Sequence, residues 1–460
     1  MNTPRHKVSL TEISFHPASF ADPNGRLFVW QGQIYRGISY EHSKFVKGLF
    51  QSGLIRELIN KSLIVQTEIA DIEIDGYGLL LKHQTVPFVS YAYEWSAEML
   101  KDAALLMLEL LSELSKHNLT LQDAHPWNVL FDGPRPVYVD FGSIIPDNGK
   151  GKWRGYKQFL RYFLNPLRLS ALGYGQISRC LFSDYRMEIS NFALESFLFK
   201  KKTGRANQTF FSLARKLIKK SPAGQDFIRD LKHTINNIVI PSKRTDWSDY
   251  YNHGFPPLTP TGQWAKKQHS VYHVLKQLQP GSVLDVGSNR GWYSQLAASL
   301  GSQVVSFDVD EPSISMLYRE AQQKKMPILP LIMDFRNPSP GYGLCNQTFP
   351  PATQRLKCDL VIAAALVHHL VFRQYLHFEQ IVSGLSLFAK QWLLVEFIPK
   401  EDVYVSKWWT QKYSWYTLDN FILTLKKEFP CVQVYPSSPE PRVFLLCKRI
   451  ADEPTRNEEQ

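Results

Sequence analysis

The spacing of apolar and polar positions changes character several times along the chain. Residues 26–30 and Gln33–Ile38 are short apolar-rich runs on either side of Gln31-Gly32, which predicts a tight hairpin. Between residues 43 and 63, Val46, Leu49, Phe50, Leu54, Ile55, Leu58 and Ile59 recur at helical spacing and predict one helix. Residues 67–74 and 76–86 predict a second hairpin, turned at Asp75-Gly76. The helical period is strongest over 96–117. There Ser96 is the expected N-cap, and Met99, Ala103, Leu106, Met107, Leu110, Leu111 and Leu114 form one face. Residues 153–240 continue as helices with aromatic and basic residues intermixed.

Residues 241–260 break this pattern with four prolines, a glycine and the run Asp246-Trp-Ser-Asp-Tyr-Tyr251, which reads as a linker. Beyond it, apolar strands alternate with helical segments. The strands expected are 282–286, 303–307, 328–333, 358–364, 392–397, 432–435 and 442–447, with helices over 292–300, 312–324, 378–388 and 418–429. Such alternation predicts a largely parallel sheet flanked by helices, an α/β architecture.

Composition narrows the function classes. The chain has 460 residues, too many for one ordinary core, and its 44% hydrophobic content excludes a wholly disordered chain. Residues 1–20 lack the apolar core of a secretory leader, and no long apolar run suits a membrane span. The cysteines (Cys180, Cys345, Cys358, Cys431, Cys447) are scattered and odd in number, which fits a reducing, cytoplasmic setting. A net charge of +11 permits an anionic partner. Much of it sits in residues 200–220, with eight Lys/Arg and no acid. That stretch is an electrostatic footprint for nucleic acid or a solvated helix face, and the second reading is preferred.

The sharpest chemical signal is Val283-Leu-Asp-Val-Gly-Ser-Asn-Arg-Gly-Trp292. An apolar strand ends in an acid and passes through a glycine-bearing turn into a helix. Gly287 and Gly291 allow the backbone to approach a ligand and turn sharply. Asp285 suits the ammonium group of an amino-acid moiety. Asp308, at the end of the next strand, suits a pair of ribose hydroxyls. These features resemble class I S-adenosylmethionine-dependent methyltransferases. In that family Asp334 would stand near the adenine amine. The segment Asp359-Leu-Val-Ile-Ala-Ala-Ala-Leu-Val-His-His-Leu370 would be the strand that reaches the reacting centre, followed by Trp392-Leu-Leu-Val-Glu-Phe397. Asn289 departs from the glycine of many members and tolerates a turn.

The resemblance covers residues 260–449 and implies a Rossmann-like seven-stranded sheet. It also implies S-adenosylmethionine held by Asp285, Gly287, Asn289, Gly291, Asp308 and Asp334. His368 and His369 would lie at the acceptor, where one is a general base or both cap the strand–helix corner. Glu396 would orient a histidine, bind substrate or be a structural carboxylate. The aromatic run over 404–416 would stack on a sugar or base, or pack on its own domain. Trp247 and its neighbours would close over the donor or form a lid without ligand contact. Residues Trp247-Ser-Asp-Tyr-Tyr251, the Pro/Gly-rich insertion 337–351, Val-His-His-Leu and Val395-Glu-Phe-Ile-Pro399 further resemble the methyltransferases grouped with nodulation-type enzymes, several of which decorate glycans.

A second signal is Leu121-Gln-Asp-Ala-His-Pro-Trp-Asn-Val-Leu-Phe131, followed by Val137-Tyr-Val-Asp-Phe-Gly142. It resembles the catalytic loop and metal-binding acid of aminoglycoside phosphotransferases and other kinase-like folds. There Asp123 would be the base, and Asn128 and Asp140 would hold magnesium for ATP. No glycine-rich phosphate loop and no Val-Ala-Ile-Lys strand precede it. Arg36 or Lys82 would stand in for the lysine, with Glu57 as partner.

The domains expected are therefore an extension (1–24), a kinase-like N-lobe (25–95) and C-lobe (96–240), a linker or lid (241–262), a methyltransferase domain (263–449) and a tail (450–460). The function expected is O-methylation of a small-molecule or glycan hydroxyl, behind a degenerate kinase-like α+β domain. A bifunctional kinase/methyltransferase and a nucleic-acid methylase remain as alternatives, and the oligomeric state is open.

Overall fold

The computed structural model describes residues 6–19, 24–149, 153–183, 224–241, 245, 247 and 256–450. The basic stretch 200–220, residues 248–251 and the tail from 451 lie outside them. The chain divides into two compact units, Met1–Ser242 with Tyr342–Phe349, and Lys243–Gly341 with Pro350–Gln460.

The first unit opens with a five-stranded antiparallel sheet. Its strands are β1 (Ser14–Phe15), β2 (Gly25–Trp30), β3 (Gln33–Ile38), β4 (Thr67–Ile69) and β5 (Leu79–His83), in spatial order β1-β2-β3-β5-β4. The β2–β3 hairpin turns on two residues, Gln31 (φ 49°) and Gly32 (φ 71°), as the Gln-Gly signal predicts. The single helix expected over 43–63 is two, α1 (Tyr40–Gln51) and α2 (Leu54–Asn60), because Gly53 adopts a left-handed conformation (φ 79°) and ends the first. The second hairpin forms between β4 and β5, but Ile72–Glu73 leaves it to pair in parallel with His6–Lys7.

The long helix α3 (Ala97–Ser115) begins where Ser96 accepts a hydrogen bond from the Met99 amide at 3.3 Å. It is followed by β6 (Leu119–Leu121), β7 (Val129–Asp132), β8 (Arg135–Tyr138) and β9 (Ile144–Pro146), which pair β6 with β9 and β7 with β8. Helix α4 (Gly224–Asn236) packs along α3. The first unit also takes in the loop Tyr342–Phe349, which leaves the Pro/Gly-rich insertion. Its Phe349 ring meets Tyr91 edge-on at 5.3 Å, and its Tyr342 ring lies 5.3 Å from Tyr93.

The second unit is built on a seven-stranded sheet: β10 (Ser282–Val286), β11 (Gln303–Asp308), β12 (Ile328–Ile332), β13 (Cys358–Ala363), β14 (Ala389–Phe397), β15 (Cys431–Pro436) and β16 (Val443–Lys448). Spatial order is β12-β11-β10-β13-β14-β16-β15, all parallel except β16, which runs antiparallel to both neighbours. Every residue of central strand β10 is buried, as expected for a parallel strand covered on both faces. The order reverses at β10, with β11 on one side and β13 on the other, so a crevice opens at their carboxyl ends. Among the described residues, no helix is long and apolar enough to cross a membrane.

Candidate active site

The glycine turn leaves β10 and enters α5 (Trp292–Ser299). Gly287 (φ 70°), Asn289 (φ 51°) and Gly291 (φ 73°) are all left-handed. A Cβ on Gly291 would fall 2.5 Å from Cδ2 of Leu317, so sterics as well as φ require glycine there. The Gly287 and Ser288 amides both donate to the Phe307 carbonyl, which fastens the turn to β11.

Two acids meet at this crevice. Asp285 is buried at the end of β10, accepts a hydrogen bond from Ser294 Oγ at 2.6 Å, and has no ion-pair partner among the described residues. Ser306 Oγ donates to Ser294 Oγ at 2.8 Å and extends the relay. Burial, and secondarily the charge of Asp308, push the Asp285 carboxyl up to about 7. Asp308 accepts from the amides of Asn289 (2.8 Å) and Asp310 (2.9 Å), and its pKa is also raised, chiefly by burial. A buried carboxylate held this way is short of a cation, which the ammonium group of S-adenosylmethionine would supply. Asp334 follows β12, and its carboxylate is taken by the Arg336 side chain (Nη2 at 2.6 Å) and amide (2.9 Å). Burial raises its pKa, but the Arg336 contacts outweigh that and hold it below the usual range.

The corner after β13 carries the histidines on a short helix, α6 (Val367–Phe372). It is set by Ala365, left-handed at φ 49°, whose amide donates to Glu396 Oε2 at 2.8 Å. The other Glu396 oxygen accepts from Ser437 Oγ at 2.6 Å, and Glu396 is fully buried. Glu396 thus holds the corner that presents the histidines through the Ala365 amide and the Ser437 hydroxyl, neither of them a histidine. His368 is buried with Nδ1 lacking a partner, and burial, then the charges of His369 and Arg442, push its pKa down to about 2. His369 is half-buried, with its pKa lowered to about 4 by burial and then Arg373. Both imidazoles are neutral at neutral pH.

The aromatic segment divides in two. Tyr413 and Tyr416 are buried against Phe372, with Tyr416 Oη donating to the Ile398 carbonyl, and Trp415 stacks on His377. Trp408 instead lies over the histidine pair, 5.5 Å from the His369 ring, with the Arg373 guanidinium 4.7 Å from its own ring. Four residues that sequence spacing did not mark, Ser294, Ser306, Ser437 and Arg442, act here through neighbouring strands and helices. Arg442 pairs with Asp402 at 2.8 Å in a buried salt bridge that fixes the chain leading to Trp408.

In the first unit, Asp123 and Asn128 lie between β6 and β7, and Asp140 follows β8. Gln158 donates to Asp123 Oδ1 at 2.9 Å. Asp140 takes Asn128 Nδ2 at 3.3 Å on one oxygen and Arg36 Nη2 at 3.3 Å on the other. Of the expected cations, Arg36 is the one that reaches this loop. Lys82 pairs with Glu68 at 3.7 Å, and Glu57 pairs with Lys61, so Glu57 is not the partner of Arg36 in this ion pair. As arranged, both oxygens of Asp140 face N–H donors, which is the geometry of an ion-pair network and does not fit a magnesium cage. No cluster of three or more His, Cys, Asp or Glu suited to a metal occurs among the described residues.

No family model matches the chain. Over 409 residues it is 27% identical to nodulation protein NoeA of Rhizobium meliloti (strain 1021), covering 84% of this chain and 85% of that one. Among solved structures, the bifunctional kinase-methyltransferase WbdD aligns over 39% of this chain at 18% identity and a TM-score of 0.29, and only 37% of the WbdD chain is spanned. TehB from Haemophilus influenzae aligns over 44% of this chain and 67% of its own at 16% identity (TM-score 0.30). Magnesium protoporphyrin IX methyltransferase ChlM from Synechocystis, with bound SAH, aligns over 42% of this chain and 91% of its own at 17% identity (TM-score 0.28). The strand order, the glycine turn after β10 and the acids ending β10 and β11 give the second unit the Rossmann-like architecture that the sequence predicts, and in the first unit Asn128 and Asp140 meet in the loops after α3.

Proposed function

We propose that the chain is an S-adenosylmethionine-dependent methyltransferase that methylates a hydroxyl of a small molecule or glycan. The observation that carries this reading is Asp285, a buried carboxylate with no cationic partner among the described residues, beside a left-handed glycine turn and the ribose-type acid Asp308. Asp285 would meet the donor's ammonium, Asp308 its ribose, and Gly287, Asn289 and Gly291 the close backbone approach. Asp334 would face the adenine from its pairing with Arg336. The bound donor supplies an electrophilic methyl group on a sulfonium.

The protein's own contribution is alignment and proton removal. His369, more exposed than His368, is the better placed base. Its neutral imidazole takes the hydroxyl proton as the acceptor oxygen bonds to the methyl carbon and the carbon–sulfur electron pair stays on sulfur. Glu396 and Ala365 hold the corner that aims it. Trp408 offers an aromatic face suited to a sugar ring. The kinase-like unit serves as a binding or scaffolding module in this reading.

Calorimetry with S-adenosylhomocysteine tests the donor site: Asp285→Ala and Asp308→Ala should each lose binding. If both bind like the parent, the assignment is wrong. Thermal shift with ATP and magnesium examines the alternative of dual chemistry. A shift abolished by Asp140→Ala would favour a bifunctional enzyme. Mass spectrometry of cell extract with and without the protein, seeking products heavier by one methylene, would identify the acceptor.

A further inference from the structure

Trp247 joins two parts of the second unit that the sequence does not connect. Its backbone carbonyl accepts a hydrogen bond from Asn289 Nδ2 at 3.0 Å, within the donor turn. Its indole meets the His369 ring edge-on at 5.4 Å and 85°. The same His369 ring lies 5.5 Å from the Trp408 ring. One imidazole thus has two indoles for neighbours. Trp247 is 48% exposed, so core burial does not account for its placement.

The other end of this hydrogen bond, Asn289, points the same way. Its backbone is left-handed, where glycine is the unstrained choice, and its amide already binds Asp308. What asparagine adds over glycine is a side-chain amide, whose Oδ1 accepts from the Arg290 amide at 2.6 Å and whose Nδ2 is directed to Trp247. The charged and titratable groups that act on the histidine pair are Arg373, just past their own helix, and Arg442, from the turn before β16, which acts on His368.

Resting on the methyl-transfer reading above, we propose that Trp247 is a positioning residue for His369, anchored through Asn289 to the donor turn, so that donor occupancy and the orientation of the acceptor-side imidazole are coupled. The coupling needs no contact between Trp247 and the donor. A donor seated on Asp308 bears on the Asn289 amide that Asp308 holds, and Asn289 fixes the backbone from which the indole projects.

The test uses the full chain with 13C-labelled histidine, His369→Gln assigning the signal, and S-adenosylhomocysteine as the probe at a concentration that calorimetry shows to saturate each variant. In the parent, the probe moves the His369 resonance. In Asn289→Gly and Trp247→Ala that response should fall at least about twofold. In ligand-free Trp247→Ala, His369 should titrate nearer the ordinary value of about 6.5, because part of its cover is gone. Trp247→Phe keeps an edge-on ring and should restore the parent titration. Parent-like titration and parent-like probe response in both Trp247→Ala and Asn289→Gly would overturn the proposal. If the parent itself does not bind the probe, the donor reading and the coupling fall together, while the ligand-free titration still decides whether Trp247 positions His369.

Discussion

At Asp285 a single side chain connects stability to ligand chemistry. Its carboxyl is pushed up to about 7 in the folded chain, against an ordinary value near 3.9 in an unfolded one. The folded state therefore binds the proton more tightly. The stability this confers is full below about pH 4 and is lost as pH rises through about 7. Asp285→Asn removes that loss, so the ligand-free variant should melt above the parent at pH 8 and approach it toward pH 4. The gain should be on the order of 1–4 kcal/mol, read by calorimetry across that range. The same variant should lose its stabilisation by S-adenosylhomocysteine. Glu396 makes a different demand. Glu396→Ala leaves the Ala365 amide and Ser437 hydroxyl without their acceptor in a buried corner, at a cost of about 1–3 kcal/mol by denaturant unfolding. Asp285 was legible from its place before a glycine turn. The sequence allows three roles for Glu396, because strand spacing does not say which amide a carboxylate will meet.

Among the elements, the connection after β14 shows packing deciding what composition left open. Its aromatic residues suited either a sugar platform or a domain cap. Tyr413 and Tyr416 went to the cap, because Phe372, Phe378 and Phe397 offered an apolar surface, and Trp408 went over the histidines. The buried Asp402–Arg442 pair fixes this route. Asp402→Ala leaves the Arg442 charge buried and unpaired and should cost about 3–5 kcal/mol. Asp402→Leu combined with Arg442→Met should recover most of it, as unfolding of the parent and the two variants would show. Elements whose signals are local form where the residue pattern places them: the Gln31-Gly32 hairpin, the Ser96 cap and the strand–helix alternation after residue 280. Over 43–63 the apolar spacing predicts one helix because it runs on past Gly53, whose backbone conformation breaks it.

On the scale of the whole molecule, two units with separate chemistry should answer separately to ligands. S-adenosylhomocysteine at 100 times its Kd should stabilise the second unit by about 2.7 kcal/mol. ATP with magnesium should leave the melting curve of the parent unchanged, because Arg36 and Asn128 already occupy the Asp140 oxygens. A magnesium-dependent shift would mean that Arg36 gives way. Neither result bears on the basic stretch 200–220, which lies outside the described residues. The sequence by itself determined the alternation that builds the parallel sheet, the acids at the ends of its first two strands and the glycines of the turn after β10. Those features depend on neighbours within a few residues, where period, turn chemistry and φ preference act directly. The tertiary structure alone decided that Ser294 and Ser306 wire Asp285, that Glu396 holds the histidine corner, that Arg36 rather than Lys82 reaches Asp140, and that Asn289 ties Trp247 to His369. These contacts join residues distant in sequence, and a side chain's partner across such a separation is set by strand register and burial, which the order of residues does not display.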